Sequence, residues 1–376
     1  MKNRIYLDWN GSAPMLDEAR EALIKATEHF GNPSSIHREG RKARALIENS
    51  RATVAGFMGC ASPEVVFTSG GSEANTLAVG DILARGGPVA AIESMHPSLN
   101  MALEKAEAEG NGVEIQWLGI NEGGVIDPEA IGAVDAIVGD VANSETGTVQ
   151  PFEKMGELAL DRGIALHLDA VQAWGRMALN VTQMGAATVS LSGHKIGAPK
   201  GVGALYVREG TKLSYVTSYG KHERGLRGGT ENMIGIAALA AACEVRGKNL
   251  VKFTAHMERL TAMIREGLSA FTPRALVNSP SSPARVLANT VNFSVEGVQA
   301  DLLVQAMDLE GVAMSAGSAC RSGVVEPAKV IEAMGLEPWR ALSAVRVSVG
   351  PSTTEDEVTD FLARLHEVAG RLVAKK

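Results

Sequence analysis

The chain has 376 residues, and its 36 basic and 43 acidic side chains leave a net charge of −7. Apolar residues make up 45% and charged residues 21%, which excludes a disordered polypeptide or a disulfide-framework miniprotein and leaves room for two domains. The acidic balance argues against a nucleic-acid binder held by phosphate neutralisation, no apolar run reaches the length of a membrane span, and MKNRIYLDWNG has neither the apolar stretch of a signal peptide nor the composition of a transit peptide. A cytoplasmic location is expected, and the sparse set Cys60, Cys243 and Cys320 predicts free thiols rather than staples.

From about residue 60 to 210, short β-branched runs alternate with helical stretches. Strands are predicted over 64–68, 88–92, 113–117, 136–141, 164–169, 188–191 and 203–207, with helices such as 72–84 and 153–161 between them. This alternation predicts a mostly parallel sheet covered by helices on both faces, with ligands beyond the carboxyl ends of its strands. Residues 231–272 read as one long helix that joins two lobes. A Pro/Ser loop (278–285), a strand (290–294), a helix (299–309) and a strand (345–349) follow, and the last helix opens on Thr354 and Glu357 in capping-box spacing. Its apolar residues Val358, Phe361, Leu362, Leu365, Val368 and Leu372 form one face. The tail therefore predicts a smaller α+β lobe, joined by the first dozen residues.

Five features carry candidate chemistry. In FTSGGSEANTLAV (67–79), a strand passes through Ser-Gly-Gly-Ser into a helix, so backbone amides and Ser72 fit a phosphate; a purely structural turn reads equally well. In HLDAVQAWG (167–175), Asp169 ends an apolar strand, with Gln172 three residues on. Asp169 there serves a ligand or caps the next helix, and His167, Asp169 and His194 also have the composition of a two-His-one-carboxylate iron site. In SLSGHKIGAPKGVGALYV (190–207), Lys195 follows a strand in a Gly-rich turn beside Ser192 and His194. It is either a solvated loop lysine or an amine that a low-dielectric pocket can deprotonate for covalent work. In SAGSACRSG (315–323), Cys320 sits among residues too small to build a core, next to Arg321, and predicts an exposed nucleophilic thiol; Cys60 and Cys243 suit buried positions. Arg346 interrupts an apolar strand and needs an anion, internal or bound.

In this order, the five features resemble the pyridoxal-phosphate-dependent cysteine desulfurases of the NifS/IscS type, a class-V aminotransferase-like family. The likeness runs nearly end to end through YLD (6–8), FGNPSSIH (30–37), SGGSEAN (69–75), the His96 segment, NSETGTVQP (143–151), HLDAVQ (167–172), HERGLRGGTEN (222–232) and the Cys320 loop. It implies an α/β chain of fold type I. A large domain over 14–250 would hold a mostly parallel seven-stranded sheet, and residues 1–13 and 251–376 would form a smaller α+β domain carrying the cysteine loop.

The resemblance also implies roles. Lys195 would hold the cofactor covalently and move the substrate's α-proton, Asp169 would pair with the pyridine nitrogen, Gln172 would bond the ring's phenolic oxygen, and His96 would stack on the ring and assist acid–base steps. Gly71, Ser72, Ser192 and His194 would hold the phosphate, with Thr230 arriving from the partner subunit of a homodimer. Asn143 and Arg346, with Asn32, would bind the substrate carboxylate, and Asn143 would also face the cofactor. Cys320 would take sulfur from L-cysteine, leave L-alanine, and pass the sulfur to an acceptor or scaffold protein for iron–sulfur assembly or tRNA thiolation. No metal, nucleic acid or membrane is implied. A selenocysteine lyase or aminotransferase of the same fold, and a non-catalytic sulfur-relay component, are the alternatives. WNGSAP (9–14), MSAGSAC, Arg321 and Pro351 depart from the family's usual residues, and about 26 residues follow Gly350 where some relatives carry a longer scaffold-docking tail.

Overall fold

The computed structural model describes residues 3–110, 112–272, 274–282, 285–317 and 326–374. A two-residue strand β1 (Ile5–Tyr6) is followed by two helices that no sequence feature above singled out, α1 (Asp17–Ala26) and α2 (Arg38–Met58). Helix α2 buries Ala43, Ile47, Val54 and Met58 along one stripe and stops at Gly59, whose left-handed φ of +80° a side chain would resist.

The central sheet comprises β2 (Val65–Thr68), β3 (Gly87–Ile92), β4 (Val113–Leu118), β5 (Ala136–Asp140), β6 (Ala165–Asp169), β7 (Thr188–Ser192) and β8 (Gly203–Val207). Its order is β2-β8-β7-β6-β5-β3-β4, with every pairing parallel except the two made by β8. Helices α3 (Gly71–Arg85), α4 (Pro97–Glu109) and α5 (Phe152–Arg162) connect its strands. The alternation of side chains along a strand gives the sheet an apolar cluster on each face. Val65, Phe67, Ala204 and Tyr206 join the large cluster with Ile47, Val54 and Met58, while Val66, Leu205 and Val207 face the other way onto Ala74, Leu77 and Ala78 of α3.

Helix α6 (Met233–Ser269) runs unbroken through the boundary expected at residue 250. Its first half, with Ile236, Leu239 and Cys243, belongs to the large core, and Met257, Leu260, Ile264 and Leu268 belong to a second one. That second core lies against an antiparallel sheet of β9 (Ala275–Val277), β10 (Thr290–Val295) and β12 (Ala344–Ser348), in the order β12-β10-β9. Helices α7 (Ala300–Leu309), α8 (Lys329–Ala333), α9 (Pro338–Ser343) and α10 (Glu355–Val373) and strand β11 (Val312–Ala313) complete this lobe. Strand β1 pairs in parallel with β11, and Ile5 and Leu7 join the second core.

Helix α10 carries the capping box read from Thr354 and Glu357. Its cap contributes roughly 1 kcal/mol, whereas each of Val358, Phe361, Leu365 and Val368, all fully buried, contributes about 1.5–3 kcal/mol. Packing therefore decides where this helix docks. Among the described residues, no helix is long and apolar enough to cross a membrane.

Candidate active site

Strands β5 and β6 both end on an aspartate, and β7 ends on Ser192. Around these carboxyl ends lies a cavity of about 230 Å³, lined by Gly71, Ser72, Asn75, His96, Ser98, Asp140, Asp169, Val171, Gln172, Ser192, His194 and Lys195, among others. A larger groove of about 850 Å³ lies toward the other end of β6 and β7, near Ala165 and Ala187, and holds none of the candidate residues.

Helix α3 begins at Gly71, so its first amides border the cavity beside Ser72. A Cβ on Gly71 would stand 2.6 Å from Val171 Cγ2, so the close approach of α3 to the turn after β6 requires glycine. Asp169 is 7% exposed and accepts from Asn75 Nδ2 (2.7 Å) and from the Val171 amide (2.9 Å). Asn75 Nδ2 also donates to Ser98 Oγ (3.0 Å), and Ser98 Oγ lies 2.8 Å from His96 Nδ1. Because the Ser98 amide donates to the same nitrogen (3.1 Å), His96 accepts there and keeps Nε2 free for other work. Burial, above all, holds the His96 imidazole below its usual range, so it is neutral near pH 7.

Lys195 follows β7 in a single 3₁₀ turn, Gly193–Lys195, and its Nζ donates to the carbonyls of Asn10 (2.5 Å) and Gly11 (2.9 Å). The segment WNGSAP thus folds over the lysine. Burial first, and then the nearby charges of Arg176 and Arg346, bring the Lys195 amine down to about 8. His194 is pushed down to about 4 by burial and by Lys195, and its Nδ1 lies 3.2 Å from Ser12 Oγ. Gln172 spends its amide on the Asn10 carbonyl (3.2 Å) and its Oε1 on Arg176 Nη1 (2.7 Å).

His167 is fully buried with both ring nitrogens engaged, Nδ1 with Thr188 Oγ1 (2.9 Å) and Nε2 with Asn75 Oδ1 (3.1 Å). Neither nitrogen is left for a metal, which removes the iron-site reading. His167 instead orients Asn75, which in turn orients Asp169.

Other candidates stand outside the cavity lining. Asn143 is 3% exposed, and its Oδ1 accepts from the Glu145 and Thr146 amides while its Nδ2 donates to the Ser94 carbonyl. It shapes the turn that brings Ser144 to the cavity. Arg346 donates to Asp8 Oδ1 (2.6 Å) and to the Ser144 carbonyl (2.9 Å), while its buried Nε has no partner among the described residues. The internal salt bridge weighed for Arg346 is present, with N–H donors left over. Asn32 and Thr230 are exposed, and Asn32 Oδ1 accepts from the Ser34 amide. Cys320 and Arg321 lie outside the described residues. Cys243 is buried and its thiol is pushed up, while half-buried Cys60 is pushed up to about 12 by burial and Glu64.

Sequence reasoning missed Asn75, Ser98, Asp140 and Asp8. Asp140 carried the same signal as Asp169, an acid closing an apolar strand, and Asn75 lies one helical turn beyond Gly71 on α3.

The residues fit pyridoxal phosphate: a lysine whose amine is brought down to about 8, an acid anchored opposite it, and a helix N-terminus with hydroxyls for the phosphate. A family model described as aminotransferase class-V matches residues 5–361. The chain is 34% identical to cysteine desulfurase IscS of Dictyoglomus turgidum, across 99% of this chain and 96% of that protein. A solved structure of a NifS-like protein superposes with a TM-score of 0.90 at 27% identity, covering 98% of this chain and all of that one. SspA, solved in complex with cysteine, gives 0.79 at 30% identity over 93% of this chain and all of its own.

Proposed function

Because the chain belongs to the class-V aminotransferase family, and within it to the NifS/IscS-type cysteine desulfurases, we propose that it binds pyridoxal phosphate in the cavity between α3 and Lys195 and moves sulfur from L-cysteine to Cys320. The observation that carries this reading is the presence of Lys195 and Asp169 in one cavity, at the ends of neighbouring strands.

Bound there, pyridoxal phosphate supplies an electron sink for the pair released at the substrate's α-carbon. Lys195 would hold the cofactor covalently and move the substrate's α-proton; its amine, brought down to about 8, is partly free base near neutral pH. Asp169, fixed by Asn75 and Val171, would pair with the ring nitrogen and keep it protonated. Neutral His96 offers its free Nε2 for proton transfer. Ser72, Ser192, His194 and the first amides of α3 would hold the phosphate, and Gln172 would bond the phenolic oxygen. Arg346, held by Asp8 and the Ser144 carbonyl, would receive the substrate carboxylate with its spare N–H donors, together with Asn143, which braces the turn beside Ser144, and Asn32. Cys320 thiolate then attacks the substrate sulfur: an S–S bond forms, the C–S bond breaks, and its electron pair stays with the carbon skeleton, which gains a proton and leaves as L-alanine. The persulfide passes to an acceptor for iron–sulfur assembly or tRNA thiolation.

A homodimer with Thr230 reaching the partner's cofactor is supported by exposed apolar residues on neighbouring segments. Phe30 and Ile36 are 85% and 91% exposed, Tyr219 is 94% exposed, and Ser34 Oγ lies 3.3 Å from His222 Nε2. The sparse cysteine content supports a cytoplasmic setting.

The test is incubation of the yellow holoenzyme with L-cysteine and a thiol reductant. Equimolar alanine and sulfide are expected, and Cys320→Ser is expected to lose both while keeping its colour. Keto-acid production, or full sulfur release by the Ser variant, refutes the proposal.

A further inference from the structure

We propose that Asp140 is a positioning residue of this site: a neutral carboxylic acid standing beside Asp169 that limits the pair to one negative charge and so sets the charge meeting a pyridine nitrogen bound there. The proposal rests on the reading that Asp169 faces that nitrogen.

Asp140 closes β5 and Asp169 closes β6, and the two are in-register partners across parallel strands. In-register neighbours project their side chains to the same face of a sheet, and both aspartates line the cavity. Asp140 is 4% exposed, and its Oδ1 is buried without a hydrogen-bond partner among the described residues. Among the described residues it forms no ion pair: Lys195 is spent on the Asn10 and Gly11 carbonyls, Arg176 on Gln172, and Arg346 on Asp8. Asp169 receives two N–H donors, so the charge of the pair rests there. Two neighbouring carboxyls with no cation between them oppose a second negative charge, so one of them keeps its proton.

The surroundings leave that proton on Asp140. The titratable groups around the pair are Asp169 and His167 from β6, His96 at the start of α4, and Lys195 beyond β7. Asn75 of α3 and Ser190 of β7, the latter in register with Asp169, are neutral. His167 is held neutral by burial, and the His96 imidazole is lowered, first by desolvation at the cavity. Helix α5, packed against β5 and β6, buries only Phe152, Met155, Gly156 and Ala159. Burial, and then the charge of Asp169, push Asp140 up to about 8.

A neutral acid serves this chemistry. With one negative charge, Asp169 neutralises a protonated ring nitrogen and leaves the floor of the cavity uncharged. Loss of the Asp140 proton adds a second negative charge, which raises the basicity of that nitrogen further and burdens the buried site. The pair thus couples the state of the ring to alkaline pH through a residue that need not touch it.

The experiment is an infrared difference spectrum of the holoenzyme in heavy water, between samples well below and well above that midpoint, with the cofactor's visible absorption followed in parallel. A carboxylic-acid carbonyl band is expected to vanish on alkalinisation, together with a shift of the visible band. Asp140→Asn is expected to lose the infrared band and the accompanying visible step. Glu145→Gln, which removes the other buried carboxyl raised by burial, is expected to keep both. Absence of the band from the wild type, or its survival in Asp140→Asn, overturns the proposal. So does a visible profile identical in wild type and Asp140→Asn. Should Asp140→Asn fail to fold, the wild type and Glu145→Gln decide on the infrared band. A colourless preparation that still shows the band refutes the cofactor reading and leaves the carboxyl pair standing.

Discussion

Replacing Glu223 with Ala removes one partner of a buried ion pair that ties three distant segments together. Its carboxylate accepts from Arg51 Nη1 (2.7 Å) and Nη2 (2.8 Å) and from the Phe67 amide of β2 (2.9 Å). The two side chains are 4% and 1% exposed, and Arg51 also donates to the Val65 carbonyl and lies 4.6 Å over the Phe67 ring. Burial works against the charge of Arg51, but the bonds and charge of Glu223 outweigh it and hold the proton more tightly than usual. The same pair stabilises left-handed backbone at Glu223 (φ +46°) and Arg224 (φ +57°), at the head of the segment that presents Thr230.

Arg51 keeps the half-exposed Glu48 carboxylate (3.1 Å) and the Val65 carbonyl, so losing its buried partner costs about 3 kcal/mol, the low end for a broken buried pair, and leaving the Phe67 amide without an acceptor costs about 1–3 kcal/mol more. A total near 5 kcal/mol is a large share of a typical folding free energy of about 5–15 kcal/mol. The double variant Arg51→Met/Glu223→Leu removes both charges and refills the volume. It still orphans the Phe67 amide, so it is expected within about 2 kcal/mol of wild type. Chemical denaturation of the wild type, both single variants and the double variant completes the cycle. A coupling of at least about 3 kcal/mol is expected, with cofactor retention falling in the single variants and returning in the double. Additive losses would show that the pair acts only as two separate packing groups and would refute the reasoning.

Lys195→Ala is expected to abolish borohydride trapping of the cofactor, checked by peptide mapping. With the Lys195 amine at about 8, the rate of cofactor uptake by the apoenzyme is expected to rise with pH and level off near that value; a rise that continues toward the ordinary lysine range refutes the lowered value. Asp140 binds its proton up to about 8 in the folded chain against 3.8 unfolded, so it makes stability fall as pH rises between those values, by about 1.4 kcal/mol per unit. Asp140→Asn is therefore expected to gain over wild type by about 4 kcal/mol at about pH 7 and by less at lower pH, measured by urea unfolding; parallel stability curves would refute this. Gly71→Ala is expected to lose stability by about 1–3 kcal/mol and to weaken cofactor affinity, because the Cβ overlap with Val171 outweighs the gain in helix propensity. Denaturation and cofactor titration check both effects.

The large sheet was legible along the chain because period and length are local properties. Seven β-branched runs each became a strand with ends shifted by a residue or so, and Asp169, Ser192 and Lys195 could be placed at strand ends from the alternation alone. Helices α1 and α2 were missed because they lie ahead of that alternation.

Tertiary structure alone decided what those strand ends meet. Asp140 lies beside Asp169 only because β5 and β6 pair in one particular register, and Asp8 reaches Arg346 across 338 positions. The carbonyls of Asn10 and Gly11 hold Lys195 because the first residues cross from the small lobe to the sheet. Register, burial and charge neighbourhood are pairwise properties of residues far apart in the chain. No periodicity encodes them, and they set whether a lysine is a surface cation or a reactive amine.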